Sequence, residues 1–237
     1  MPYKMDAVHI RFAMKDRSTP AKRDTYRHGD LRRALLEAGI TLARAGGPDA
    51  VVLREATRRA GVAPNAAYRH FESRMALLHA VRMAALAGLA RSIEAELAAV
   101  SAELGPTELA RASLRAVGLG YLQFALTETG LFRTIFAVPY DWPATPDPAK
   151  AGGTGLNPFQ LLAVALDRMV EAGALPAERR TGAEFLAWSA VHGLALLIIG
   201  GPLRDLPRAQ TAALGQRLVE MVEAGLGQPG ATVGSGG

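Results

Sequence analysis

The chain contains no cysteine, and aromatic residues make up only 6% of its 237 positions. The lack of cysteine excludes disulfide scaffolds, thiol catalysis and cysteine-ligated metals. Runs of β-branched residues are scarce, while the apolar set is dominated by Ala and Leu, which are strong helix formers. Nearly half of the residues, 49%, are apolar, which is enough for a packed core. The composition predicts an all-α globular fold of one or two domains.

Patterns typical of enzymes and metal sites are also missing. The five histidines are scattered and no H-E-x-x-H sequence occurs. Ser189 and His192 share a predicted helix, but they lack a nucleophile elbow and an acidic partner. The GGTG segment at 152–155 is not followed by the lysine of a phosphate-binding loop. We therefore expect no enzymatic activity, no cofactor and no metal.

One uncharged run, residues 185–203, nominally reaches the length of a membrane span. His192, Gly193 and Pro202 interrupt it, and its flanks lack aromatic belts. We interpret this run as a buried interface helix and expect no membrane partner. The N-terminal segment carries charges throughout and has no apolar signal-peptide core, so we expect a cytoplasmic protein.

The positive charge is concentrated in the first third of the chain. Residues 1–74 hold 15 Lys/Arg and 8 Asp/Glu, whereas residues 75–237 hold 12 and 14. This asymmetry indicates a polyanion-facing module attached to a near-neutral remainder. Residues 1–25 are polar and aperiodic and are predicted to form a flexible basic arm. Its cations are either a solvated tail or an arm that enters a minor groove; they include Lys15, Arg17, Lys22 and Arg23.

Apolar periodicity and helix-breaking residues predict a series of helices with one long loop, 140–158, and a disordered tail, 227–237. We expect a three-helix domain over 26–74 and a helical domain over 75–226. The predicted helices cover residues 28–45, 53–60, 64–71, 74–104, 107–126, 131–138, 159–172, 183–199 and 207–226.

Residues 53–71, LREATRRAGVAPNAAYRHF, have the pattern of a helix-turn-helix. Two short helices need a tight turn in which one residue adopts a positive φ, and Gly61 supplies it. Apolar residues are placed to hold the helix pair together, namely Leu53, Ala56, Ala60, Val62, Ala67 and Phe71. The second helix would present Asn65, Ala66, Arg69 and His70 to a major groove.

This stretch resembles the tetracycline-repressor (TetR) family of bacterial transcription regulators. The shared residues are Leu53, Ala60-Gly61-Val62, Tyr68, His70-Phe71, Arg74 in the usual lysine position, and Leu77-Leu78. The chain departs from the family pattern at Ala56-Thr57, at Ala63 in place of a capping serine, and at Ala66-Ala67. Further on, Trp188, His192 and Gly193 are similar to the W-x-x-x-H-G signature of one TetR subgroup.

The resemblance implies a dimeric transcription regulator that binds DNA in a sequence-specific manner. In the simplest case it is a repressor that a small apolar effector releases from DNA. Its operator would be a near-palindrome of double-stranded DNA, copying the symmetry of the dimer. Asn65 is suited to a bidentate contact with adenine, and Ala66 to a thymine methyl. The remaining predicted DNA-binding residues are Tyr68, Arg69, His70 and Arg74, of which Tyr68, His70 and Arg74 are assigned to phosphates.

The effector pocket and the dimer interface are assigned to the helices that follow. Pocket candidates are the larger side chains of the middle helices, with ordinary core packing as the alternative for each: Tyr121, Phe124, Phe132, Ile135, Phe136, Phe159 and Met169. Dimer candidates lie on the last two helices: Trp188, Ala190, His192, Gly193, Leu196, Leu214 and Leu218. Two alternatives stay open: an all-α ligand-binding or enzymatic module with little DNA binding, and an activator without an effector.

Overall fold

A computed structural model describes residues 28–137 and 147–228, and within these ranges the chain is helical with no strand. The predicted arm and most of the predicted tail lie outside the described residues. The helices are α1 (His28–Gly46), α2 (Leu53–Ala60), α3 (Pro64–Ala67), α4 (Arg74–Ala98), α5 (Pro106–Thr127), α6 (Thr129–Phe136), α7 (Pro158–Glu171), α8 (Ala183–Ile199) and α9 (Arg208–Gly227). The all-α prediction is confirmed.

Two predicted helices are shorter in the structure. The α-helical part of α3 ends at Ala67, and residues 68–70 form a turn that leads to Phe71. Helix α4 ends at Ala98 because the next two amides, those of Ala99 and Val100, bond back in tight turns to the carbonyls of Glu96 and Leu97. Short-range apolar periodicity does not report where such a turn closes a helix.

Local chemistry accounts for several helix starts. The Ser73 hydroxyl accepts a hydrogen bond from the Ala76 amide and caps α4. Asn157 and Gln160 form a reciprocal capping box at the start of α7. Proline occupies the first turn of α3, α5 and α7, where its missing N–H would have no partner in any case.

Helices α4 and α5 form the centre of the larger domain. Helix α5 packs against α4, α7, α8 and α9, and α6 lies against both α1 and α4. A Cβ added at Gly120 would lie 2.6 Å from the Ile93 Cα, so glycine is required for α5 to approach α4 this closely. Helix α4 is long and apolar enough to cross a membrane by length and composition alone, yet half of its most apolar window is buried inside the protein.

Candidate functional site

The turn between α2 and α3 has the geometry that the sequence predicts. Gly61 adopts a left-handed conformation with φ 68° and ψ 28°, and its amide donates to the carbonyls of Arg58 and Thr57. Beneath the turn, Ala56, Ala67 and Phe71 are buried and hold α2 and α3 together. Ala63 precedes α3 without any side-chain cap, as expected where alanine replaces serine.

The predicted DNA-binding residues of α3 and the following turn are brought onto one short segment. Asn65, Tyr68 and Arg69 are exposed, and Tyr68 has 57% of its surface accessible. Ala66 and His70 are half-buried. A large aromatic residue this exposed contributes little to the core, so its hydroxyl and ring are accessible to a partner.

Arg74 is bound within the domain. Its Nε donates to the Val51 carbonyl at 2.8 Å, and a terminal nitrogen donates to the Pro48 carbonyl, also at 2.8 Å. The guanidinium therefore ties the start of α4 to the segment between α1 and α2. A phosphate contact by Arg74 stays a prediction, and it would have to share the guanidinium with these carbonyls.

Two cations of α2, Arg58 and Arg59, are bound by a carboxylate of the same helix. Glu55 accepts hydrogen bonds from Arg58 at 2.6 and 2.8 Å and from Arg59 at 3.2 Å. The bonds from Arg58 and then Arg59 lower the pKa of Glu55 to about 2. Arg69 has no such carboxylate partner within the described residues. Arg69 is thus an exposed cation that is available to a partner.

A cavity of about 510 Å³ lies within the larger domain, a size that suits a drug-sized ligand. It is enclosed by α4 to α9 together with a 3₁₀ helix, Pro148–Lys150. Most of its wall is apolar. The sequence-predicted residues on the wall are Tyr121, Ile135, Phe136 and Phe159.

Three predicted pocket residues lie in the core, outside the lining of this cavity. Phe132 and Met169 are completely buried, and Phe124 is 4% exposed. Phe132 makes edge-to-face contacts with the rings of Tyr121 and Phe136, which do line the cavity. Phe132 therefore supports the wall from behind.

Sequence reasoning missed the polar residues of the cavity. Arg82, Lys150 and Asn157 are buried at 5%, 8% and 4% exposure, and all three line it. The Arg82 Nε donates to the Ile135 carbonyl at 2.8 Å. One signal was present in the sequence: Lys150 is the only lysine after Lys22.

A hydrogen-bonded cluster joins α5 to α8 beside the cavity. The Tyr121 hydroxyl lies 2.8 Å from His192 Nδ1 and accepts a hydrogen bond from Trp188 Nε1 at 3.2 Å. Burial lowers the pKa of His192, so the neutral imidazole is favoured and can accept from the tyrosine. Trp188 itself lines the cavity. Two of the predicted dimer residues are thus engaged within their own chain.

Large apolar side chains are exposed on the outer face of α8 and, at Met221, on α9. Of the predicted dimer residues, Leu196 is 49% exposed, while Ala190, Gly193, Leu214 and Leu218 are half-buried. Four further exposed apolar side chains of these helices were not among the predicted set. They are Phe185, Leu186, Leu197 and Met221, and Leu186 and Met221 are 63% and 64% exposed.

The small N-terminal domain contacts the larger domain through α4 and α6. The Arg44 guanidinium of α1 binds the Glu128 carboxylate, and a Cβ added at Gly130 would overlap the Ala43 carbonyl oxygen. The other end of α6 carries Ile135 and Phe136 in the cavity wall. Helix α6 therefore joins the cavity to α1. Within the described residues, no cluster of three or more His, Asp or Glu could hold a metal.

Comparison with known families assigns both domains. Residues 35–81 match the family model described as bacterial regulatory proteins, tetR family, and residues 114–222 match the tetracyclin repressor-like C-terminal domain. The chain belongs to the TetR family. It is a DNA-binding transcriptional regulator, as the helix-turn-helix prediction required. Members of the TetR family bind operator DNA, dimerise and bind small-molecule effectors, and they are generally not enzymes.

Solved structures share this fold. A protein of unknown function from Rhodococcus sp. RHA1 is 25% identical, with 86% of this chain and 100% of that chain covered and a TM-score of 0.68. A TetR variant from Acinetobacter baumannii AYE, solved in complex with minocycline, is 20% identical, with 81% and 93% covered and a TM-score of 0.54. No curated protein matches the chain in a sequence comparison.

Proposed function

We propose that this TetR-family regulator is a repressor that leaves its operator when a small, largely apolar ligand occupies the cavity. The observation that carries the proposal is the position of α6. Its C-terminal residues Ile135 and Phe136 line the cavity, and its N-terminal residue Gly130 lies against the backbone of α1. Helix α1 in turn packs on α2 and α3 of the helix-turn-helix.

A ligand can change the operator affinity of this regulator only if it binds one arrangement of α6 more tightly than another. Phe136 is half-buried, and its ring stacks on Trp188 and lies 4.5 Å from the His192 ring. A ligand that displaces Phe136 would move an eight-residue helix as a unit. Because Gly130 has no space toward α1, that movement reaches the DNA-binding domain.

Dimerisation through α8 and α9 would place two DNA-binding domains on one operator. Helix α8 exposes four large apolar side chains, Phe185, Leu186, Leu196 and Leu197, and α9 exposes Met221. After Glu184, α8 carries no charged residue through Ile199, so the α8 faces of two copies can meet without burying a charge of that helix. A two-fold axis here predicts a near-palindromic operator with half-sites about one DNA turn apart.

The proposed test is selection of operator DNA from random duplexes, followed by affinity measurements with and without a panel of apolar compounds. We expect a bound compound to weaken operator binding roughly 5- to 150-fold. Phe136→Ala should abolish that response and leave the affinity without ligand near normal. Leu126→Ala is the control, because Leu126 is exposed on α5 outside the cavity lining.

Three outcomes would contradict the proposal. An operator affinity that no compound changes would indicate a regulator without an effector. If Phe136→Ala unfolds the protein, Phe136→Leu replaces it in the same assay. An unchanged ligand response in Phe136→Leu would show that α6 does not respond to a ligand in the cavity. A ligand that tightens operator binding would show that the protein is not released by its effector.

A further inference from the structure

Lys150 is an unusual residue in the wall of an apolar cavity. Only 8% of its surface is exposed, and the residue lines the cavity. Its side chain has no hydrogen-bond or ion-pair partner within residues 28–137 and 147–228. No fully buried side-chain nitrogen or oxygen of the described residues lacks a hydrogen-bond partner, so the ammonium keeps some accessible surface at the cavity wall. An ammonium at a mostly apolar wall without an anion is poorly compensated, and such groups in proteins are normally paired.

The backbone holds Lys150 in this place from both sides. The Asp147 carboxylate caps the 3₁₀ helix by accepting from the Ala149 amide at 2.9 Å. Three residues beyond Lys150, the amides of Gly153 and Thr154 donate to the Glu94 carboxylate of α4, each at 2.8 Å. Burial opposes ionisation of Glu94, but the bonds from Thr154 and Gly153 lower its pKa overall. An anchored segment of this kind positions Lys150 before a ligand arrives.

Two other charged residues line the described part of the cavity, the cation Arg82 and the carboxylate Asp147. Arg82 is 5% exposed, lines the cavity, and is fixed by its bond to the Ile135 carbonyl. Asp147 is the only carboxylate among the described lining residues, and it is exposed to solvent. Its 3₁₀-helix cap directs at least one carboxylate oxygen to a backbone amide. The described buried charges of the cavity are therefore two cations.

We propose that the effector is a lipophilic carboxylic acid whose carboxylate pairs with Lys150 while its apolar body fills the rest of the cavity. The proposal deepens the proposed function and rests on it. A carboxylate satisfies the buried ammonium with a charge-assisted hydrogen bond, which a neutral compound of the same shape cannot do.

The experiment compares matched probes on the purified full-length protein. The first pair is dodecanoate and dodecan-1-ol, and the second is 2-naphthoate and 2-naphthylmethanol. Calorimetric titration gives the affinity of each, and the operator assay shows whether binding releases DNA. We expect one carboxylate at least to bind about tenfold or more tightly than its alcohol.

Three variants assign that preference to Lys150. Lys150→Met keeps the length and apolar stem of the side chain but removes its charge, so the carboxylate and its alcohol should bind equally. Lys150→Arg keeps the charge and should retain the preference. Arg168→Met is the control, because Arg168 is an exposed cation on α7 outside the lining of this cavity.

The outcomes separate this proposal from the proposed function. If the alcohols bind at least as tightly as the carboxylates, or if Lys150→Met keeps the preference, the carboxylate proposal is wrong and an apolar effector remains. If a carboxylate binds through Lys150 without changing operator affinity, the pairing stands and the release function is wrong. If no probe binds at all, both are overturned.

Discussion

The Arg44 Nε donates a hydrogen bond to the Glu128 carboxylate at 2.7 Å, joining the last turn of α1 to the residue that precedes α6. The two residues are 84 positions apart in sequence and belong to different domains. Next to this ion pair, the backbone of Gly130 lies against the end of α1. The proposed function requires a movement in the larger domain to reach the DNA-binding domain at this contact.

The first prediction concerns Gly130→Ala. The added methyl would overlap the Ala43 carbonyl oxygen and lie 2.7 Å from that of Arg44, so α6 must move away from α1. We expect a lower Tm, a loss of about 1–3 kcal/mol in the free energy of unfolding, and a changed operator affinity without ligand. Denaturant unfolding and operator titration measure these effects.

Gly225→Ala is the matched control for that substitution. Gly225 lies within α9, and a Cβ there would meet nothing within 4 Å. Alanine in an open helical position should stabilise the helix by up to about 1 kcal/mol. Equal stability and equal operator affinity in the two variants would show that the contact between α6 and α1 is not tight.

The second prediction separates two arginines of the DNA-binding domain. Arg74→Ala removes hydrogen bonds to the carbonyls of Val51 and Pro48, so it should lower stability by about 1–3 kcal/mol. If Arg74 also binds a phosphate, the slope of log affinity against log salt should flatten by about one unit per subunit. Arg69→Ala, an exposed residue, should flatten the slope without lowering the Tm. An Arg74→Ala variant with an unchanged slope would confine Arg74 to a structural role.

The third prediction tests base recognition by Asn65. Asn65 is exposed on α3, so Asn65→Ala should leave the Tm unchanged. It should cost about 1–3 kcal/mol on the operator and little on random DNA, because only a base contact is lost. Affinities for both duplexes across a salt series measure this difference. An equal loss on both would show that Asn65 does not read bases.

The fourth prediction concerns the apolar surface of α8 and α9. Leu186 is 63% exposed, and Leu186→Glu would place a charge in the proposed interface. Sedimentation should show a dimer for the wild type and a monomer for the variant, with the helical content retained. Leu104→Glu is the control, since Leu104 is exposed on the segment between α4 and α5. A wild-type monomer at micromolar concentration would contradict the assignment.

The fifth prediction follows from the lowered pKa of His192. Its ordinary value is 6.5, and burial lowers it in the folded chain. Below that value the unfolded chain binds a proton that the folded chain does not, so stability falls as the pH drops through and below about 6.5. The fall in Tm between about pH 7.5 and about pH 5.5 should be smaller in His192→Gln. His79→Gln, at an exposed position of α4, should behave as the wild type.

Much of the fold could be predicted because helix formation depends on local features. The 3.6-residue periodicity placed the helices, and Gly61 with its positive φ placed the turn of the helix-turn-helix. The motif residues that carry the family resemblance lie within one continuous stretch, so no tertiary information was needed to identify the regulator. The predicted C-terminal ends of α3 and α4 were wrong, because tight turns end both helices earlier than the periodicity indicates.

The site depended on contacts between residues that are distant in sequence. Phe132 and Phe136 share α6 and look alike in sequence, yet Phe132 is completely buried in the core while Phe136 lines the cavity. Arg74 donates hydrogen bonds to carbonyls that lie 23 and 26 positions away in the sequence. Trp188 donates a hydrogen bond to Tyr121, which lies 67 positions away. Lys150 reads as part of a polar loop, and its burial follows from packing of that loop on α4. Sequence alone determined which faces are apolar and which segment meets DNA, whereas tertiary packing decided what covers each face, because burial is a property of neighbours that local periodicity does not encode.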